Sequence, residues 1–351
     1  MITTLTRSHS RLPARWLVVG VGLVVLASLA GLAIGPVSLP IGRVFLEVID
    51  HIPFVHVHSG LSPRQADIVW QLRLPRVVMG LLVGAMLAVA GGAYQGAFRN
   101  PLADPYLLGV AAGAGLGATL VIVAGGTTRS GIVAPLPLAA FAGALLAVVL
   151  TYTLGASGER RRSATSLVLA GVAVASFLTA VQTWVQQRKS DTIREVFTWI
   201  LGRLTTASWH DVLILLPYVV VTSTVLIACR RVLDVLSVGD DEASTLGVNV
   251  NRVRLVVVVA ASLGTAAAVS VSGLIAFVGI IVPHTVRLLA GRSYRSILPL
   301  SLLFGAAFLA LTDLLARIVI SPAELPIGVV TAFFGAPFFA LVLRTTRAGS
   351  A

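Results

Sequence analysis

Ten mostly apolar stretches, at 16–35, 77–97, 106–124, 133–155, 165–186, 212–229, 254–271, 274–290, 297–319 and 326–343, constrain this chain more than any other feature. An α-helix needs about 20 such residues to cross the hydrocarbon core of a bilayer. Within lipid every backbone N–H and C=O must find a partner in the protein, so a spanning segment is a helix or part of a closed barrel. These runs are continuous and do not alternate, which excludes the barrel. The expectation is an all-α polytopic membrane protein of about ten transmembrane helices, one domain over residues 1–351. No charge separates Leu255 from Val286, and the split within that stretch is placed at Ser270–Gly273, where small residues and a glycine permit a turn.

Charge supports the same class. Charged residues make up 11% of the chain, where a soluble globular protein carries about 25%. The net charge of +12 sits in short clusters between the apolar runs and not on one solvated face. That pattern fits the positive-inside rule of membrane proteins and gives no role to nucleic acid. With both termini in the cytoplasm, Arg7, Arg11 and Arg15, the loop Arg160–Arg162, Arg230, Arg231, Arg344 and Arg347 all lie inside. The first run follows three arginines as a secretory signal would. It is longer than the roughly 7–15 residues of a signal core and is read as the first span. The single cysteine, Cys229, allows no intrachain disulfide. Gly80, Gly84, Gly91, Gly92 and Gly96 in the second run are small residues that let helix backbones approach closely.

The polar segments narrow the function. Residues 36–71 include His51, His56 and His58, a set that could hold a metal or haem iron. Their spacing is loose and no Cys or close acidic pair joins them, so no metal site is assigned. Residues 230–254 form the longest polar stretch between late spans. There Ser237 or Asp240 is expected to cap a short helix that Gly247 ends, serving either as a docking helix or as an ordinary connection. Asp313 is the acidic residue clearly inside a span, and Arg317 at (i, i+4) makes an ion pair the simpler reading. The sequence contains no G-x-x-x-x-G-K-[S/T] phosphate loop, no H-E-x-x-H, no paired cysteines and no Ser/His/Asp constellation. It therefore reads as a transport subunit without its own nucleotide site or cofactor, not as an intramembrane enzyme. A secondary transporter or channel working alone would place ionisable groups at mid-membrane. Asp313 is the one candidate, and it lies near the end of its span.

Specific residues then carry a resemblance. Leu72-Arg73-Leu74-Pro75-Arg76 is followed by Gly84 and by Gln95-Gly96-x-x-Arg99-Asn100-Pro101-Leu102-Ala103-Asp104-Pro105 with Leu108-Gly109. Further on come Phe277-Val278-Gly279-x-x-Val282-Pro283-His284-x-x-Arg287 and Ala323-Glu324-Leu325-Pro326-Ile327-Gly328-Val329-Val330-Thr331 with Gly335-Ala336-Pro337-Phe338. In this order and spacing, from about residue 70 to the C-terminus, they resemble the FecCD family: permeases of ATP-binding-cassette (ABC) importers for iron–siderophores, haem and vitamin B12. Residues 1–69 match only in having one span and an outer segment.

The resemblance implies a BtuC-like type II importer permease in the cell membrane. It implies a homodimer or close heterodimer around a central path, two ATP-hydrolysing subunits on the cytoplasmic face, and a periplasmic or lipid-anchored binding protein outside. By matching position, Arg73, Arg76 and Arg317 are outer-face arginines that receive glutamates of the binding protein. Residues 238–250 match the coupling helix for the ATPase, with Gly239, Asp240, Glu242, Ala243, Leu246, Gly247 and Val248 at the contact. Ser163, Ala164 and Thr165 begin the fifth helix at the inner gate, where Ala164 departs from the hydroxyl of some members. Ser176, Thr179, Gln182 and Thr183 are the polar candidates along the path, and the fifth and tenth helices are expected to shift. The substrate stays open among siderophore, haem and cobalamin.

Overall fold

The computed structural model describes residues 14–35, 37, 39–51, 57–126, 134–155 and 164–348. Their regular structure is entirely helical. Seven segments are long and apolar enough to cross a membrane: α1 (Ala14–Ala33), the continuous segment Pro63–Ala97, α6 (Pro135–Gly155), α7 (Ala164–Arg188), α9 (Trp209–Ala228), α12 (Val250–Ser272) and α14 (Tyr294–Ile318). Two shorter apolar helices, α5 (Val110–Val123) and α13 (Val278–Ala290), and α15 (Ile327–Ala348), whose apolar stretch is Ile327–Ala340, complete the ten runs read from the sequence. Small helices at the ends of the bundle are α2 (Ile41–Asp50), α3 (Pro63–Asp67), α8 (Ile193–Ile200), α10 (Arg230–Leu236) and α11 (Asp240–Thr245).

The second span begins earlier than hydropathy suggests. Ser62 and Gln65 form a capping box that starts α3. The chain then widens into a π-helical stretch, Ile68–Arg73, before α4 (Leu74–Ala97). Pro75 explains the widening. Its ring displaces the carbonyl one turn back and it has no N–H to donate, and an extra residue in that turn relieves both.

Close approach of backbones fixes the centre. A Cβ on Gly84 would stand 2.2 Å from the carbonyl oxygen of Gly305 in α14, and one on Gly91 would stand 2.0 Å from that of Gly279 in α13. No side chain fits at either crossing, so α4 lies backbone to backbone against both helices. Gly80, by contrast, has ordinary van der Waals space.

Two spans are completed by non-helical chain. α5 and α13 have 14 and 13 residues, and at 1.5 Å per residue each rises only about 20 Å of the roughly 30 Å hydrocarbon core. α12 does end at Ser272, before Gly273 at φ +72. In place of the expected turn, the chain runs on without helix to Phe277, which takes the left-handed region at φ +69. The polar backbone of this stretch is met from inside the protein. The Tyr106 hydroxyl, in the 3-10 turn Pro105–Leu108, donates to Ile275 O (3.0 Å) and accepts from Ile275 N–H (3.1 Å). Just inside α13, where Pro283 has no N–H to offer the carbonyl one turn back, Gln95 Nε2 donates to Gly279 O at 3.1 Å. Irregular backbone survives at membrane depth only where protein satisfies it in this way.

Candidate functional site

Charged residues collect at the two ends of α4, which are about 36 Å apart for a helix of 24 residues. At the Ala97 end, α10 and α11 form a platform. Asp234 of α10 accepts from Ser293 Oγ (2.8 Å) and from Tyr294 N–H, and lies 3.5 Å from Arg295, so it closes the N-terminus of α14. Arg254, 4% exposed, donates from Nε to Ala97 O (3.1 Å) and from Nη2 to both carboxylate oxygens of Asp240 (3.0 and 3.2 Å). Arg99 stands 4.0 Å from the same carboxylate. Ala97 O is one of the orphan carbonyls at the C-terminus of α4, where a cation is favoured. Asp240, Asp241 and Glu242 make the first turn of α11 acidic, which suits its N-terminal dipole.

Leu246 (69% exposed) and Val238 (63%) stand out on either side of α11, and Glu242 is exposed. Gly247 ends the helix as expected, at φ +82. Two expectations are corrected. Ser237 closes α10 by donating to Asp234 O (2.6 Å), and Gly239 rather than Ser237 or Asp240 precedes α11. Ala243, expected at the contact, is fully buried, and its carbonyl accepts from Val248 N–H (3.0 Å), so it seats the helix and presents nothing.

At the Arg76 end lies a clasp of four side chains. Arg76 reaches Asp313 from Nη2 (2.8 Å) and Nε (3.0 and 3.1 Å), and donates from Nη1 to Glu324 Oε1 (3.0 Å). Arg317 pairs with Asp313 at 3.0 Å, as the (i, i+4) spacing predicts, and donates to Gly31 O (3.1 Å). Arg73 donates to Leu32 O (2.7 Å), Ala33 O (3.1 Å) and Val37 O. Arg73 and Arg317 are 6% and 4% exposed. Expected at the rim, both lie beneath it, because the open carbonyls at the C-terminal end of α1 draw them in. Arg76, Asp313 and Glu324 border a cavity of about 170 Å³ together with Thr198 and Arg203.

Along α7, Ser163 lies outside the described residues and Ala164 begins the helix. Thr165 is exposed and shares a cavity of about 360 Å³ with Phe98 and Asn100. Ser176, Thr179 and Thr183 face outward beside Leu169, Val172 and Phe177. Gln182 does not join them. It is buried against α5, with Nε2 donating to Thr119 Oγ1 (3.1 Å). His51 stacks on Trp70 (centroids 4.0 Å apart), His56 lies outside the described residues, and no group of three or more metal-ligating side chains occurs among the described residues. In the loop between α4 and α5, burial pushes the Asp104 carboxyl up to about 6, against the hydrogen bond it accepts from Tyr106 N–H.

The FecCD transport family model matches residues 23–345. The chain belongs to the FecCD transport family. Among relatives, the cobalamin import system permease protein BtuC of Halobacterium salinarum is 45% identical over 285 residues, covering 81% of this chain and 75% of its own. The Fe(3+)-citrate import system permease protein YfmD of Bacillus subtilis is 37% identical over 313 residues, 88% and 90% of the two chains. A solved structure described as an inward-facing conformation of a metal-chelate type ABC transporter superposes with a TM-score of 0.81 at 29% identity, covering 95% of this chain and 99% of that one. The chain is thus an integral membrane ABC transporter permease. Residues in and beside the quoted motifs make contacts across the bundle. Arg76 meets Glu324, Tyr106 meets Ile275, Arg99 meets Asp240, and Gln95 joins Gly279 O to Arg287 Nη2 (2.9 Å). Each joins residues far apart in sequence, so no local pattern signals it.

Proposed function

We propose that this permease is the membrane subunit of an importer driven by a separate ATPase, with α10, α11 and both termini in the cytoplasm. The platform around α11 carries the reading. An acidic helix flanked by exposed Val238 and Leu246, and tied through buried charges to α4 and α14, suits a partner that docks and pushes. The sequence supplies no phosphate loop of its own. A binding protein would then approach the opposite face, where Arg76, the least buried of the three matched arginines, is held by Asp313 and Glu324 and the exposed Arg203 beside it suits a partner carboxylate. The second permease subunit, an identical or closely similar chain, would cover the apolar face of α7 and the exposed Phe333 and Phe334 of α15. The path between the subunits would run past Thr165, Ser176 and Thr179.

The cargo is an iron chelate or a corrinoid, with an iron–siderophore first on the family's range and on the names of the relatives. The test is uptake of ferric citrate, a ferric hydroxamate, haem and cobalamin into proteoliposomes holding the permease, its ATPase and the binding protein. ATP-dependent uptake of one of these is expected. Equal uptake without the ATPase refutes the reading.

A further inference from the structure

We infer that Arg254, on α12, is the positioning residue that carries displacement of α11 into α4, making the α4/α14 pair a direct recipient, beside α12, of work done at the docking platform. The inference rests on the reading of α11 as the ATPase contact.

Three observations carry it. Arg254, one turn into α12, is buried and joins its own helix to two others, through Ala97 O at the end of α4 and both oxygens of Asp240, the first residue of α11. A guanidinium is a planar, rigid group of donors, so with Nη2 shared between the two Asp240 oxygens and Nε held by Ala97 O, a shift of Asp240 draws on the Ala97 carbonyl through one inflexible plane. Asp234, on the neighbouring α10, holds the N-terminus of α14 through Ser293 and Tyr294. The platform is thereby tied to α4 and α14 together, and its main packing partners are α4, α9, α12 and α14.

These two helices then meet at Gly84 and Gly305 with no side chain between them to absorb a shift. Close-packed interiors of that kind transmit strain and do not yield to it. At its other end α4 carries Arg76, clasped to Asp313 of α14 and to Glu324 in the link to α15. α4 also bears on α13 at Gly91 and Gly279, and Phe277 at the head of α13 packs on Gly335 of α15. α4 is therefore a lever between the platform and the Arg76 clasp, and α15 follows it through Phe277 and Glu324.

The experiment uses the full chain assembled with its ATPase subunits and binding protein in proteoliposomes. ATP hydrolysis and uptake of ferric citrate and cobalamin are measured in the same vesicles. Arg254→Gln is expected to leave assembly intact and hydrolysis within about twofold, while uptake per ATP falls about tenfold or more. Arg254→Lys, which keeps the charge but not the fork, recovers part of it. Asp240→Asn, at a residue of the docking helix itself, is read as uptake per ATP hydrolysed and not by its hydrolysis rate; that ratio falls as it does in Arg254→Gln, and the double variant is no worse than either single, as expected for residues acting as one unit. A substrate-free readout is the thiol-labelling rate of Thr198→Cys, in a Cys229→Ser background, beside the Arg76 cavity. Trapping with ATP and vanadate should change that rate in the otherwise native chain and not with Asp240→Asn.

Full coupling in Asp240→Asn, or additive losses in the double variant, overturns the inference, and Asp240→Asn decides alone if Arg254→Gln fails to insert. Loss of ATPase assembly in both singles also overturns it, because the residues would then serve docking only. Uptake by the wild type that needs no ATP overturns the importer reading and this inference with it. An ATP-driven wild type beside a fully coupled Asp240→Asn overturns this inference alone.

Discussion

At the scale of single residues, buried charge decides most of what can be tested. Asp313 balances Arg76 and Arg317 with help only from Glu324. Asp313→Ala would leave two guanidiniums without their shared acid, and breaking a buried pair in this way costs about 3–5 kcal/mol. Thermal unfolding in detergent should show a marked loss, with Asp313→Asn intermediate. Asp104 gives a pH signature. With its folded value raised to about 6, the folded chain binds more protons than the unfolded one above the ordinary carboxylate range, so stability falls as pH rises from about 4 to about 6 and is flat beyond. Asp104→Asn keeps the acceptor for Tyr106 N–H and should remove that slope, leaving the protein more stable at pH 7 when melted side by side with wild type. The arginines also mark where the sequence misleads. A basic residue at the end of an apolar run reads as a rim group, yet Arg73 and Arg317 turn inward to helix-end carbonyls. Nothing local in the sequence announces those acceptors.

At the scale of elements, the spans were legible because lipid imposes a length and a hydropathy whatever the partners of a helix. The starts were less so. Pro63–Asp67 is polar, and only its capping box and the π turn join it to α4. The interruption after Ser272 was legible in its glycine, but its course to Phe277 depends on Tyr106, 169 positions away. Gly84 gives a sharp packing test. Gly84→Val puts a side chain into the Gly305 backbone and should cost at least the roughly 1–3 kcal/mol of an overpacked core, whereas Gly22→Val, with open space around it, should be neutral by the same melting assay. At α11 the logic reverses. A Cβ at Gly247 meets nothing within 4 Å, so Gly247→Trp should insert normally, suffer only local strain from φ +82, and stop ATP-driven uptake by obstructing the docking face.

At the scale of the whole molecule, the proposed second subunit would cover apolar surface on α7 and α15. Phe177, Leu169 and Phe333 are 65%, 66% and 75% exposed. Phe177→Glu should lower the apparent mass of the purified permease from a dimer toward a monomer by light scattering, without loss of helicity by circular dichroism. An unchanged mass would place the partner contact elsewhere. The order of motifs along the chain foreshadowed the family but not its geometry, since contacts such as Gln95 with Gly279 and Arg76 with Glu324 cross the bundle.

The hydroxyl of Tyr106 on the backbone of Ile275 also says something about how the protein is made. A thirteen-residue helix is too brief for the insertion machinery to release into lipid by itself, and the irregular stretch before it would arrive with its amides bare. Tyr106 leaves the ribosome well before Ile275 does. In chain order, then, the early helices supply the partner that the later backbone needs.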